Sequence, residues 1–219
     1  LRQSLGVAGR IVAIGTSVRP RPVEGSYMPA FLAGSGLASS LGEALGCLVA
    51  KLSHQENHLL AGLWSAGRAL DRDFLAAHVS GGTTEVLQAV TTATTLEVQL
   101  LGGTDDLHAG QFIDRVGVAL GLPFPAGPHL EKLAESYAAT PAATPVSVNG
   151  LRISFSGPES HVTRWLASGP DPAEVAASVQ ECVAISLARG LAQAVIETGR
   201  RTVLLVGGVM ANRFIRSRV

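Results

Sequence analysis

The chain has 219 residues, of which 47% are hydrophobic and 5% aromatic, and its 17 basic residues balance its 17 acidic ones. This length accommodates one large domain or two small lobes, each with a hydrophobic core. The balanced charge excludes a protein that binds RNA through its bulk charge, so an RNA partner requires a local basic patch or another subunit.

The cysteines and the hydropathy pattern predict a reduced, cytoplasmic protein without a membrane span. Cys47 and Cys182 lie among apolar residues, which favours two buried free thiols. The sequence predicts no signal peptide, and no apolar run reaches the ~18 residues that a spanning helix needs. Because residue 1 is Leu and the last predicted helix stops after about two turns, we expect residues to be missing at both ends.

The first part of the chain predicts alternating strands and helices. Gly9 to Gly15 reads as a short buried strand centred on 11–14, and small residues over 26–45 favour a closely packed helix. A second apolar strand is expected over 47–52, and Ser53 then begins a helix. This order of elements is typical of a parallel α/β unit.

From residue 74 the pattern predicts a second α/β unit, so two lobes are expected over residues 1–73 and 74–219. Asp171 supplies an N-cap for the longest helix, and Gly121 and Gly199 are placed to end helices. The expected elements are a strand over 74–79, a hairpin with strands over 85–90 and 96–101 joined by 91–94, a helix over 106–120, a loop over 141–150, a helix over 172–198, a strand over 202–206 and a last helix after it.

The sharpest local signal is the pair His54 and His58. On a helix these rings lie on one face, which is the geometry of a two-histidine metal clip. Glu56 does not directly follow the first histidine, as it would in a zinc protease, and Ser53 and Glu56 together form a capping box. Two surface histidines are the alternative, and no third ligand is evident nearby in the sequence.

Glycines follow two of the predicted buried strands. The Ser-Gly-Gly run at 80–82 lets the backbone turn sharply and brings N–H groups close to a ligand such as phosphate, and a plain hairpin turn is the alternative. Gly207 and Gly208 stand between a strand and a helix start, which is a nucleotide-binding geometry. Asn212 either binds a base or phosphate there or caps the helix, and Gly127 predicts a tight turn.

Acidic residues mark the helix predicted over 106–120. Asp114 lies between two glycines, so a ligand can approach the helix and offer a ribose hydroxyl to the carboxylate. A solvated Asp114, on a helix whose glycines serve close packing, is the better interpretation of this residue alone. We interpret Asp105 and Asp106 as acids that cap the start of the helix rather than as a catalytic pair.

The order of these motifs indicates more than any one of them. As a set they resemble, over nearly the whole chain, the catalytic subunit family of the universal tRNA threonylcarbamoyl transferase, which was once described as a glycoprotease. The runs that carry the resemblance are His54-x-Glu56-x-His58, Val79-Ser80-Gly81-Gly82, Asp105-Asp106-x-x-Ala109-Gly110, Asp114, Gly121-Leu122-Pro123-Phe124-Pro125-Ala126-Gly127-Pro128, Ser154-Phe155-Ser156-Gly157 and Gly207-Gly208-Val209-x-Ala211-Asn212.

The resemblance implies an actin-like (ASKHA) α/β fold of two lobes, built from RNase H-like units, with the ligand between them. It implies threonylcarbamoyl transfer from an adenylate to the tRNA adenosine beside the anticodon, with a divalent metal (Fe or Zn), an adenine nucleotide as substrate, and tRNA and other subunits of a transfer complex as partners. His54 and His58 match the family's metal-binding histidines, and no catalytic residue is assigned. The predicted substrate-binding or nucleotide-binding residues are His78, Val79, Ser80, Gly81, Gly82, Asp114, Gly127, Gly207, Gly208 and Asn212. We expect the histidine pair to face the same cleft as Ser80 and Asn212.

Several positions depart from the family pattern. The family usually has His or Asn where Thr83 stands, Gly-Glu-Ala at 110–112 where this chain has Gly-Gln-Phe, and Leu-Lys at 158–159 where it has Pro-Glu. These changes favour a diverged paralogue, so a non-catalytic nucleotide-binding protein or scaffold subunit is the alternative to a transferase. A metallopeptidase is less favoured because the sequence has no glutamate at the position of the general base. A sugar kinase is unfavoured because the sequence has no clear catalytic carboxylate.

Overall fold

The computed structural model describes residues 11–67, 72–92 and 95–219, so residues 9–10 of the first predicted strand and 93–94 of the predicted hairpin connection lie outside the described residues. The chain divides into two compact units, Leu1–Ala61 and Gly62–Val219. This division falls ahead of the boundary predicted between residues 73 and 74. Gly62 packs so closely on Leu204 and Val206 that a Cβ atom there would overlap Val206, which explains why the chain joins the second unit so early.

The first unit contains a strand–helix–strand crossover, as predicted, but its first strand begins at Ala13 rather than at residue 9 and is not buried, since Val12 just before it is 75% exposed. Its two strands pair in parallel from Ala13 opposite Leu48. The first helix begins after Pro29 rather than at residue 26, and Gly46, in the left-handed conformation with φ of 60°, ends it. The elements are β1 (Ala13–Arg19), α1 (Ala30–Leu45), β2 (Leu48–Ser53) and α2 (His54–Ala66), whose last residues belong to the second unit.

The second unit is built on a six-stranded sheet. Its strands are β3 (Asp73–Val79), β4 (Thr84–Thr91), β5 (Leu96–Gly103), β6 (Ser147–Asn149), β7 (Arg152–Ser154) and β8 (Val203–Val206). They lie in the order β6-β7-β5-β4-β3-β8. The first three strands of this unit form an antiparallel meander, and β8 runs parallel to β3 at the edge. The predicted hairpin is therefore confirmed, with slightly longer strands.

Helices pack on one face of this sheet around a common core. The core side chains of β3 are Leu75, Ala77 and Val79, and the rings of Phe112 and Phe155 stack with centroids 5.7 Å apart. The sequence did not predict the helices at Gly127–Ala134 and Ser156–Leu166, the short strand β6 inside the expected loop at 141–150, or β7 directly after that loop. The helices are α3 (Ala109–Ala119), α4 (Gly127–Ala134), α5 (Ser156–Leu166), α6 (Pro172–Thr198) and α7 (Arg213–Arg218), with a 3-10 turn at Gly208–Ala211.

The longest helix, α6, is the central helix of the second unit. Asp171 accepts a hydrogen bond from the Ala173 N–H at 2.9 Å and Gly199 ends the helix with φ of 73°, so both predicted caps are confirmed. Among the described residues, α6 is the one helix long and apolar enough to cross a membrane, with a mean hydropathy of 1.3 over its most apolar window. Because 72% of that window is buried inside the protein, α6 has the surroundings of a core helix.

Candidate functional site

The histidine pair of the first unit is placed by a helix cap. The Ser53 N–H donates to Glu56 Oε2 at 2.6 Å, and the Glu56 N–H donates to Ser53 Oγ at 3.1 Å. This reciprocal pair is the predicted capping box, and it makes His54 the first residue of α2. The cap therefore accounts for Glu56 and fixes the direction in which the helix carries the two imidazoles.

The two imidazoles approach each other through their Nε2 atoms. Their Nε2 atoms are 3.2 Å apart, and two Zn–N bonds of 2.0–2.1 Å at a tetrahedral angle would place the nitrogens about 3.3 Å apart. Burial, and then the neighbouring charge of His54, lower the pKa of His58, which favours the neutral ring that binds metal. The pair thus fits a divalent metal, although no third His, Cys, Asp or Glu joins it within the described residues.

The second unit contains a cavity of about 280 Å³ that is open to solvent. Four segments come together to form it, namely the turn after β3, one face of α3, the start of α4 and the segment after β8. Five of the predicted binding residues line it, namely Gly81, Asp114, Gly127, Gly208 and Asn212, and they are joined by Gly110, Ile113, Pro125, Pro128, Glu131, Val209 and Ala211.

Some glycines near the cavity are required by the fold itself. A Cβ atom at Gly110 would lie 2.6 Å from the Ser80 carbonyl oxygen, and one at Gly117 would overlap the Cβ of Ala126. Gly207 has φ of 99°, and a Cβ atom there would overlap the Val79 carbonyl oxygen. These glycines allow the elements around the cavity to approach each other. For Gly110 and Gly117 on α3, this is the close packing that the sequence predicted.

Other glycines line the cavity without any such constraint. A Cβ atom at Gly81, Gly127 or Gly208 would meet no other atom within 4 Å, and none of the three has a positive φ. Gly127 is also the first residue of α4 rather than part of a tight turn. Since the fold does not need glycine at these positions, the absent side chains leave room and exposed backbone for a ligand.

Asp114 is tied to the opposite wall of the cavity. Its Oδ1 accepts a hydrogen bond from the Ala126 N–H at 2.8 Å, and the residue is half-buried. The interpretation of Asp114 as a solvated surface carboxylate is therefore wrong, because its side chain holds the turn that leads into α4. An acceptor oxygen on the cavity wall remains suited to a hydroxyl donor such as a ribose.

Asn212 is both a helix cap and part of the cavity wall. It is 8% exposed, and its Oδ1 accepts from the Ile215 N–H at 2.8 Å at the start of α7. Its Nδ2 donates to Gln180 Oε1 on α6 at 3.3 Å. Sequence reasoning missed Gln180, because a lone glutamine in an apolar helix gives no signal of the residue it will meet.

The remaining predicted residues do not line the cavity. Ser80 and Gly82 form the turn beside it, in which the Ser80 N–H donates to the Thr83 carbonyl at 2.7 Å. Val79 lies in the core. His78 is 3% exposed, and its Nδ1 is 3.9 Å from Glu85 Oε2 on the adjacent strand, so it belongs to the sheet interior.

Asp106 has a different role from the one predicted. The helix α3 begins after His108, so Asp106 does not cap it. Its carboxylate accepts from the Thr104 hydroxyl at 2.6 Å, from the Leu107 N–H and from the Ser154 hydroxyl. Partial burial acts to raise the pKa of Asp106, but these hydrogen bonds outweigh it and hold the pKa well below its usual range. The aspartate thereby joins the segment before α3 to the end of β7.

Comparison with known sequences identifies relatives over most of the chain. Residues 25–219 match the family described as TsaD, tRNA N6-adenosine threonylcarbamoyltransferase. A protein of that name from Thermus thermophilus is 35% identical over 191 residues, which cover 86% of this chain and 57% of the relative. One from Variovorax paradoxus is 36% identical over 200 residues, covering 87% and 55%. The chain thus spans little more than half the length of these relatives.

Comparison with solved structures shows the fold. HypF from T. kodakarensis superposes with a TM-score of 0.64 at 17% identity, covering 87% of this chain and 35% of that one. Full-length HypF in a phosphate- and nucleotide-bound form gives 0.63 at 14% identity, covering 94% and 34%. The Clostridium difficile activator of 2-hydroxyisocaproyl-CoA dehydratase, with bound ADPNP, gives 0.50 at 12% identity, covering 94% and 82%. These likenesses confirm the predicted actin-like α/β fold.

Proposed function

This chain belongs to the tRNA N6-adenosine threonylcarbamoyltransferase family, and we propose from this membership that it transfers a threonylcarbamoyl group from threonylcarbamoyl-adenylate to a tRNA adenosine. In that reaction the N6 amine forms a bond to the carbamoyl carbon, the bond from that carbon to the phosphate oxygen breaks, AMP leaves, and the amine loses a proton. The observation that carries the proposal is the cavity in which Gly81, Asp114, Gly127, Gly208 and Asn212 meet.

The cavity suits the adenylate part of such a substrate. Its volume of about 280 Å³ is near the lower end of the roughly 300–1,000 Å³ typical of ligand pockets. Glycines that the fold does not require leave room for phosphate oxygens to approach the backbone. Asp114 offers an acceptor for a ribose hydroxyl, and α4 begins at the cavity with its partial positive charge. The solved structures of similar fold include HypF bound to a nucleotide and the dehydratase activator bound to ADPNP.

We further propose that His54 and His58 hold an iron or zinc ion. Their convergent Nε2 atoms supply two ligands, and further ligands are left to other groups. Such an ion, when bound, supplies a Lewis acid that polarises a phosphoryl or carbonyl oxygen. The capping box holds the histidines in position and the lowered pKa of His58 keeps that ring neutral near pH 7.

The proposed partners are tRNA and other subunits of a transfer complex, in the cytoplasm. A chain with 17 basic and 17 acidic residues has no excess charge to attract a polyanion over its whole surface. Shared binding of tRNA with a second subunit is therefore the arrangement that the composition favours. Titration of tRNA with and without the subunits of a related complex tests this, and tight salt-insensitive binding by the chain alone would argue against it.

A non-catalytic nucleotide-binding protein is the second candidate. It is favoured by the changed residues beside the cavity, since Thr83 replaces the usual His or Asn in the turn that follows β3, and Gln111 replaces a Glu on α3. The Thr83 carbonyl serves the turn by accepting from the Ser80 N–H. In this candidate the cavity binds nucleotide and no group is transferred.

A transfer assay separates the two candidates. The chain is supplied with Fe²⁺ or Zn²⁺, threonylcarbamoyl-adenylate and unmodified tRNA, and the modified adenosine is measured by mass spectrometry. Asp114→Asn is the matched variant, because it keeps an oxygen for the Ala126 N–H while removing the charge. We expect modification by the wild type and a loss of at least about tenfold in the variant, as for one charged hydrogen bond. Nucleotide binding without transfer supports the second candidate. A chain that neither binds nucleotide nor transfers the group contradicts both candidates.

A further inference from the structure

We propose that Gln180 is a positioning residue that fixes the orientation of the Asn212 amide, so that one N–H of Asn212 is directed to the ligand. This inference rests on the proposed nucleotide site in one respect only, namely the identity of the ligand. Gln180 lies on α6 and Asn212 on the cavity wall at the start of α7. Gln180 lies outside the runs that carry the family resemblance, and it does not line the cavity.

Two hydrogen bonds fix which way round the Asn212 amide lies. The Ile215 N–H is a donor, so only Oδ1 can accept from it, and the distance is 2.8 Å. On the other side Gln180 Oε1 accepts from Nδ2 at 3.3 Å. Reversing the Asn212 amide would set N–H against N–H and oxygen against oxygen. The hydrogen-bond partners therefore determine which end of the Asn212 amide is the oxygen and which is the nitrogen.

Gln180 is a buried amide among apolar residues of α6. It is 5% exposed on a helix whose buried neighbours include Val179, Cys182 and Val183. Burying an amide is unfavourable unless its polar atoms are hydrogen-bonded. The hydrogen bond with Asn212 offsets part of that cost. It also links α6 to the segment that follows β8 and lines the cavity.

A second contact holds the same segment from the other side. The backbone N–H of Arg213 donates to Glu131 Oε1 at 2.8 Å, and Glu131 lies on α4 and lines the cavity. Residues 212 and 213 are thus held between α6 and α4. Since Glu131 and the cap set the backbone position and the side on which Oδ1 lies, the specific contribution of Gln180 is to hold the Nδ2 end of the amide in place.

This arrangement predicts what the ligand must offer. Of the two N–H bonds of the Asn212 amide, one is used by Gln180 and one remains. The remaining N–H requires an acceptor, such as a phosphate oxygen or a ring nitrogen. Asp114, on the α3 side of the cavity, requires a donor such as a hydroxyl. A nucleoside phosphate carries both kinds of group.

The test compares two substitutions at Gln180 in the full chain. Gln180→Met keeps the length of the side chain and removes the acceptor, whereas Gln180→Glu keeps an acceptor for Nδ2. Calorimetric titration with AMP is expected to show about tenfold weaker binding for Q180M, as one hydrogen bond within a buried pair is lost, and binding within about twofold of the wild type for Q180E. Equal affinity for all three proteins would overturn the proposal.

A second measurement decides the proposal without any ligand. In ¹⁵N-labelled protein the side-chain NH₂ signal of Asn212, assigned by its loss in Asn212→Asp, is expected to exchange slowly with water in the wild type and Q180E. In Q180M it is expected to shift and to exchange at least about fivefold faster, as a hydrogen bond is lost. An unchanged signal in Q180M contradicts the role of Gln180. Absence of AMP binding by the wild type would contradict the proposed function alone, and this signal would still decide the role of Gln180.

Discussion

The histidine pair and the cavity are built in opposite ways. The histidines lie four residues apart on one helix, and a cap within the same short segment fixes their position. The cavity is made of turns and helix ends that come from distant parts of the sequence, and Asp114 and Asn212 in its wall are held by contacts with other elements. A site can thus be local or assembled from distant segments, and we expect only the assembled cavity to respond to changes in packing far from the ligand.

Substitution of neighbouring glycines should show the largest effect on the assembled site. Gly207→Ala places a methyl group against the Val79 carbonyl at φ of 99°, so we expect a loss of about 3 kcal/mol or more in the free energy of unfolding. Gly208→Ala meets no atom within 4 Å and should stay within about 0.5 kcal/mol of the wild type. Urea unfolding measures both.

The same pair separates packing from binding. Gly208→Ala is expected to be folded and yet to bind AMP more weakly, because its methyl group enters the cavity. Equal destabilisation by both substitutions would show that the two glycines do not differ in role, and would remove the distinction between glycines that the fold needs and glycines that it does not.

Substitution of Asp106 shows how strongly the second unit depends on the hydrogen bonds of a carboxylate outside the cavity lining. Asp106→Asn weakens bonds to Thr104, Leu107 and Ser154, and we expect a loss of about 1–2 kcal/mol at pH 7, reduced from the buried value because the group is partly solvated. The lowered pKa means that this stability is present above the unfolded pKa of about 4 and is lost as the pH falls toward the folded value.

The control for this prediction is the preceding residue. Asp105 makes an exposed ion pair with Arg152 at 3.0 Å, and Asp105→Asn should change the free energy of unfolding by less than about 0.5 kcal/mol. Unfolding curves between pH 2 and pH 7 should show the difference between the wild type and Asp106→Asn shrinking below about pH 4. A difference that grows on acidification would contradict the assignment.

The local site should show the smallest effect on stability. His58→Ala is expected to abolish binding of Zn²⁺ or Fe²⁺ while leaving the melting temperature nearly unchanged, because Ser53 still caps α2. Ser53→Ala should lower the free energy of unfolding by about 1 kcal/mol. Metal titration by calorimetry and thermal unfolding test the pair, and tight metal binding by a variant that lacks both histidines would show that they are only surface residues.

The sequence predicted the local features well and the assembled ones poorly. The capping box at Ser53, the N-cap at Asp171 and the β4–β5 hairpin depend on neighbours in the chain, so their signals are complete in short windows. The helix α4 was missed because it starts with Gly127 and Pro128, which resemble a turn. Short β6 and β7 pair only through contacts with each other and with β5.

The candidate site shows the same limit. Each of its residues had a plausible structural explanation alone, and only the order of the motifs along the chain supported a shared role. The structure adds the reason that they meet, since Gly110 and Gly117 bring α3 against the Ser80 turn and Ala126. Such close approaches leave no local pattern, and neither does the pairing of Gln180 with Asn212.

The central claim is that the cavity of the second unit binds a nucleotide, and backbone amide NMR tests it most directly. Titration of ¹⁵N-labelled protein with AMP should shift the amide signals of Gly81, Gly127 and Gly208, which line the cavity. The signals of Gly150 and Gly169, which do not line it, should stay in place. Shifts at all of these glycines alike, or no shift at the cavity glycines at saturating AMP, would contradict the claim.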